Sequence, residues 1–109
     1  MISIVVFETN NKITAFEISG HANSGPYGYD LVCAAVSAVS FGSINAVFEL
    51  CQIELEISQA GEGGYLYVVL PINEASDKLQ KAQLIFEAMI VSLQTIEREY
   101  NEFMQIKWK

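Results

Sequence analysis

Positive charge, histidine and cysteine are all scarce in this chain, and each scarcity excludes something. Lysine and arginine number 6 against 13 acidic residues, giving a net charge of -7 and an isoelectric point near 4.5. Such a surface repels a phosphate backbone instead of displacing its counterions, which argues against direct nucleic-acid binding and favours encounter with a basic partner. A single histidine, His21, leaves any imidazole chemistry only one address. Charged residues of both signs are only 17% of the chain while hydrophobic residues are 51%. An ordinary domain carries roughly 25% charge, so this composition excludes intrinsic disorder. No internal repeat, low-complexity tract or linker interrupts the 109 residues, and residues 1–109 are expected to form a single domain.

Residues 31–48 hold no charge at all, which reaches the minimum length of a transmembrane helix. Ser37, Ser40, Ser43 and Asn45 interrupt that run, Asp30 and Glu49 close its ends, and no lysine or arginine stands beside it to set a topology. A buried helix and no membrane are therefore expected. The opening MISIVVFETNN has no basic start and too short an apolar stretch for an export signal, so a cytoplasmic, reducing setting is expected. The two cysteines agree with it. Cys33 and Cys51 fall in what reads as one helix, where their separation is about 27 Å at about 1.5 Å per residue. A disulfide spans at most roughly 7 Å between α-carbons, so these two cannot bridge.

Residues 2–8 are rich in β-branched side chains, residues 9–12 (TNNK) make a turn, and residues 13–19 alternate Thr14, Phe16 and Ile18 with Ala15 and Glu17. This predicts an opening hairpin. Residues 20–29, GHANSGPYGY, have neither period and form a loop, after which Asp30 stands at the N-cap of a helix running to about Leu50. Residues 52–58 alternate Ile53, Leu55 and Ile57 with Glu54 and Glu56, predicting a half-exposed strand. After the glycine turn at 61–64, residues 65–70 are apolar on both faces, predicting a central strand. Asn73 or Ser76 then caps a second helix buried through Leu79, Ala82, Phe86, Met89, Ile90, Leu93, Ile96 and Tyr100. A short last strand places Met104, Ile106 and Trp108 on one face. The order is ββαββαβ, an α+β fold with two helices on a sheet of about five strands. The first helix is apolar almost all round and needs cover from the second helix and from a second subunit.

The chemistry concentrates in residues 20–37, GHANSGPYGYDLVCAAVS. His21 ends a strand, Cys33 sits in the first turn of a helix, and a glycine-bearing loop joins them. The unpaired amides and dipole of a helix start favour a thiolate, the reactive form of sulfur, although an ionised Asp30 nearby opposes it. His21 can take the thiol proton and return it to a leaving amine, while helix-start amides, that of Cys33 included, can hold an oxyanion. The bland alternatives are a small core cysteine, a structural histidine and an Asp30 that only caps, against an Asp30 that also orients His21 or places the substrate amine. Gly25 and Gly28 fit a turn, or a loop that opens for a peptide. A metal site lacks ligands here, since one imidazole, one thiolate and one carboxylate fall short of four. Neither metal nor cofactor is therefore expected. Ser37, Ser40 and Ser43 read as a polar stripe on a packed helix, and Cys51 as inert core.

The pattern Gly20-His21-Ala22-x-x-Gly25-x-x-Gly28-x-Asp30-x-Val32-Cys33-Ala34-Ala35-Val36-Ser37 resembles, without departure, the signature of the ribosomal-processing cysteine protease family Prp, also called YsxB-like. Length and element order resemble that family over nearly the whole chain. The resemblance implies a cytoplasmic endopeptidase that removes the short N-terminal extension of large-subunit ribosomal protein twenty-seven, cutting after an aromatic pair and before alanine. It implies Cys33 as nucleophile, His21 as general base and acid, Asp30 as a third member, and Gly20, Ala22, Gly25 and Gly28 as parts of a substrate loop. It also implies a homodimer without cofactors. Phe16, Tyr27, Tyr29 and Phe41 are the aromatic residues near that loop in sequence. Two readings of other classes compete: a non-catalytic ribosome-assembly factor holding the basic ribosomal protein tail, and a redox-sensing thiol protein.

Overall fold

The computed structural model describes residues 1–21, 30–61 and 64–109. Strands β1 (Ile2–Thr9) and β2 (Lys12–Ser19) form the expected hairpin. Asn10 and Asn11 both take left-handed backbone, at φ 53° and 64°, which gives a two-residue turn whose twist matches that of the strands. Helix α1 (Leu31–Ala46) continues into a π-helical turn, Val47–Cys51. Strands β3 (Glu56–Gln59) and β4 (Tyr65–Val69) follow, then helix α2 (Ser76–Glu99) and strand β5 (Met104–Trp108). This is the predicted ββαββαβ order. The sheet runs β3-β4-β2-β1-β5, antiparallel except for β1 with β5, which pair in parallel from Ile2↔Met104 to Val6↔Trp108.

One face of the sheet is covered. Helix α2 lies against β2 and β5, and α1 runs along α2. Ile4 and Val6 of β1, Phe16 of β2, Val68 of β4 and Ala82, Phe86 and Leu93 of α2 are sealed in the core. At its middle Phe16 and Phe86 meet edge to face, ring centres 5.1 Å apart, a geometry that adds about 1 kcal/mol to the burial of two phenyl rings. Cys51 joins this core as expected, and neither cysteine is in a disulfide.

Five expectations need correction. Pairing of β3 begins only at Glu56, because left-handed Gln52 (φ 55°) turns the chain out of the helix and residues 52–55 connect, burying Ile53 on the way. Ile57 is 41% exposed, since β3 is an edge strand. Strand β4 is paired on both sides but lies second from that edge, and its apolar outer residues face open sheet where Tyr67 meets Phe7 edge to face. Helix α2 starts after Ala75, and neither Asn73 nor Ser76 supplies a side-chain cap. Tyr100 and Trp108, counted with buried faces, are exposed.

The hairpin register shifts between Phe7 and Glu8, leaving Thr14 as an extra residue. A bulge of this kind reverses the alternation beyond it, so Ile13 points inward in place of Thr14. The displaced backbone of Ile13 finds a substitute strand in Gln83 of α2. Its amide oxygen accepts from Ile13 N at 2.9 Å and its amide nitrogen donates to Ile13 O at 2.5 Å. Gln83→Ala removes both bonds beneath partly buried groups and is expected to cost about 2 kcal/mol, read as a lower urea midpoint at unchanged slope.

Candidate active site

Asp30 takes extended backbone (φ -79°, ψ 91°) and its Oδ1 accepts from the backbone N–H of Cys33 at 3.0 Å. This is the predicted N-cap, and it fixes Cys33 as the third residue of α1 with its half-buried sulfur in the first turn. It also corrects one expectation: the Cys33 amide is committed to Asp30, so it is not a donor kept for an oxyanion. The helix start favours an anionic sulfur there and the Asp30 carboxylate opposes it.

Cys33, Val36, Ser37, Ser40 and Phe41 recur at helical spacing and present one side of α1 to a cavity of about 280 Å³. The opposite wall comes from the sheet: Gly20 and His21 at the end of β2, and Gly64, Tyr65 and Leu66 at the start of β4. Ile2, Ile18 and Gln59 complete it. The structure thus brings His21 and Cys33 to one cavity although a loop separates them in sequence. Ala22, Gly25 and Gly28, with Tyr27 and Tyr29, lie outside the described residues. Of the two remaining aromatic residues near the loop, Phe41 lines the cavity and Phe16 is spent on the core.

Gly20 must be glycine on two counts. Its φ is +87°, and a β-carbon there would stand against the carbonyl oxygen of Met1. Its N–H donates to Gly64 O at 2.8 Å, adding one more rung to the β2–β4 ladder whose last paired residues are Ser19 and Tyr65. The serine stripe divides by environment. Ser37 is exposed at the cavity, Ser40 is buried with an unpartnered hydroxyl, and Ser43 donates to Val39 O at 2.7 Å.

Sequence reasoning missed the β4 wall, Gly64 and Tyr65 above all. Its one available signal was the glycine closing the 61–64 turn, whose partner across the sheet no spacing rule reveals. Tyr65 donates its phenol to Glu17 Oε2 at 3.0 Å. That bond, then slight burial and the charge of Glu17, holds the phenol above its ordinary value of 10.0. The protonated donor is the stabilised form, so the bond is intact below pH 10 and is lost as pH rises beyond it. In Glu17→Gln the Tyr65 ring signal, followed by NMR, is expected to titrate at lower pH than in wild type.

Comparison with known proteins places the whole chain. The family model described as cysteine protease Prp matches residues 1–105. The ribosomal processing cysteine protease Prp of Bacillus subtilis is 44% identical over 107 residues, 97% of this chain and 96% of its own. That of Staphylococcus aureus is 40% identical over 110 residues, covering 100% of both chains. Two crystal structures of an essential ribosomal processing protease Prp from Staphylococcus aureus superpose over 100% of each chain. One holds a covalently linked product peptide (TM-score 0.91, 39% identity) and one a substrate peptide (TM-score 0.84, 38% identity). The fold, the site and these relatives define the class as cysteine protease. Within it, this chain belongs to the Prp family.

Proposed function

We propose that this protein is the endopeptidase that removes the N-terminal extension of large-subunit ribosomal protein twenty-seven, cutting after an aromatic pair and before alanine in the cytoplasm, with residues 1–109 as one protease domain. The observation that carries this reading is the cavity shared by Cys33 and His21. In the proposed reaction His21 takes the thiol proton as the sulfur of Cys33 attacks the carbonyl carbon of the scissile bond. The tetrahedral intermediate collapses to a thioester as His21 protonates the departing amine of alanine. Water, deprotonated by His21, then attacks the thioester, releasing the new carboxyl end and returning the thiol. Asp30 holds the nucleophile's turn in place through its bond to the Cys33 amide, and we assign it as third member of the site in that sense.

Three further facts support the substrate. The relatives are named for ribosomal processing, and one structure of a relative holds a substrate peptide. Ile2, Ile18, Val36, Phe41 and Leu66 give the cavity apolar walls suited to an aromatic side chain. An acidic chain also attracts a basic ribosomal protein without needing to bind RNA.

The test is mass spectrometry of a synthetic peptide carrying the aromatic-aromatic-alanine junction. Wild type is expected to cut before the alanine, and Cys33→Ala and His21→Ala each to lose at least about a thousandfold in kcat/KM while keeping the fold. Asp30→Asn, which still caps, is expected to retain more activity than Asp30→Ala. A peptide that binds wild type but is never cut would instead favour the binding-module reading.

We further propose a homodimer. Large apolar side chains stand exposed at both ends of the helical stretch, with Leu31 71%, Phe48 62% and Leu50 73% exposed. Exposed apolar groups on one continuous helix suit a second copy. Sedimentation velocity at micromolar concentration is expected to show a species of twice the 12.1 kDa chain mass, and a monomer alone would refute it.

A further inference from the structure

The imidazole of His21 lies against a residue with no side chain. A β-carbon built on Gly64 would stand 2.7 Å from Nε2 of His21, 3.3 Å from Cε1 and 3.5 Å from Cδ2. Real β-carbons do not approach other atoms at 2.7 Å, so the tip of the imidazole occupies the volume that any other residue at position 64 would fill. The backbone of Gly64 also holds the residue immediately before the histidine, through the 2.8 Å bond from Gly20 N to Gly64 O. Its φ of +78° is left-handed, a conformation glycine takes without strain.

We infer that Gly64 is a positioning residue for catalysis: by lacking a side chain, and by pairing with Gly20, it sets where the imidazole of His21 sits in the cavity. This inference rests on the Cys33–His21 reading for its kinetic consequence, though not for its structural one. The nearest atoms are the far end of a movable side chain, not backbone, so an added β-carbon is accommodated by pushing the ring aside and the fold survives. Restoring ordinary contact requires a shift of about 1 Å, and misplacement on that scale costs on the order of 100-fold in rate.

Gly64→Ala brings both the β-carbon and left-handed strain, whereas Gly64→Asn brings the β-carbon with less strain, because asparagine tolerates positive φ. If displacement of the ring governs, both variants lose on the order of 100-fold in kcat with KM within about threefold of wild type. Gly61→Ala, at a glycine with open space around it, stays at the wild-type rate. Because His21 is the only histidine, its ring gives a single Cε1–H signal in the NMR spectrum. That signal is expected to change position in both Gly64 variants. In a His21→Ala background, where the ring's space is vacated, Gly64→Ala adds no further loss of rate and lowers the melting temperature less than it does in wild type.

A Gly64→Asn protein with wild-type kcat and an unmoved His21 signal overturns the inference. So does an equal fall in melting temperature with and without the ring, a comparison that decides the matter even if one variant folds poorly. Failure of the catalytic reading looks different. Wild type then cuts nothing, or Cys33→Ala cuts as well as wild type, while the His21 signal still reports whether Gly64 places the ring.

Discussion

The contact on which the rest of the molecule depends is that of α2 with the middle of the sheet, centred on Phe86 against Phe16. Burying two phenyl rings there removes several kcal/mol of unfavourable hydration, at about 2–3 kcal/mol per large side chain. Among the described residues no other element joins the helices to the sheet as broadly. The sheet is built from pairings among its own strands, and α1 leans on α2. One half of the cavity belongs to α1 and the other half to the ends of β2 and β4. A cysteine on the first and a histidine on the second therefore line one cavity because α2 docks on the sheet and carries α1 with it. The chemistry at one edge of the molecule is secured by apolar packing at its centre.

Helix α2 also reaches past its apolar face to bond the sheet's backbone. Gln83 satisfies Ile13 at the bulge, and Glu97 Oε2 accepts from Ile106 N at 2.8 Å on the edge strand β5. Both are sites where the ladder alone leaves a backbone group without a strand partner. Unpaired backbone polar groups are costly when buried and adhesive when exposed. A helix that serves them fixes its own register on the sheet as well, because each bond forms in only one position.

How much of this was legible in the sequence follows from how local each cause is. The Asn10-Asn11 turn, the Asp30 cap and the buried spacing of Ala82, Phe86, Met89 and Leu93 are set within a few residues, and simple periodicity finds them. The 20–37 segment singles out His21 and Cys33 because the one histidine, a cysteine and three glycines crowd there. What stayed hidden was decided across the sheet. Thr14 reads as an inward residue until the bulge is known, and Ile57 reads as core until β3 is seen to be an edge. Gly64 reads as one more turn glycine until Gly20 and His21 are found beside it. The side-chain cap expected at the start of α2 is missing because Ala75 holds the position between two better candidates.

The parallel pairing of β1 with β5 joins residues near the two ends of the chain, Ile2 with Met104 and Val6 with Trp108. A ribosome adds residues at roughly 5–20 per second, and folding can begin while synthesis continues. Here β1 must wait for β5, made about a hundred residues later, before the β1 edge is covered. The hairpin, α1 and the β3–β4 pair can all assemble earlier, but the wall of the sheet that holds Ile2 beside the cavity closes only when β5 arrives. Synthesis order thus gives this enzyme a built-in delay: a chain still short of β5 has Cys33 and His21 but not the finished sheet that frames their cavity.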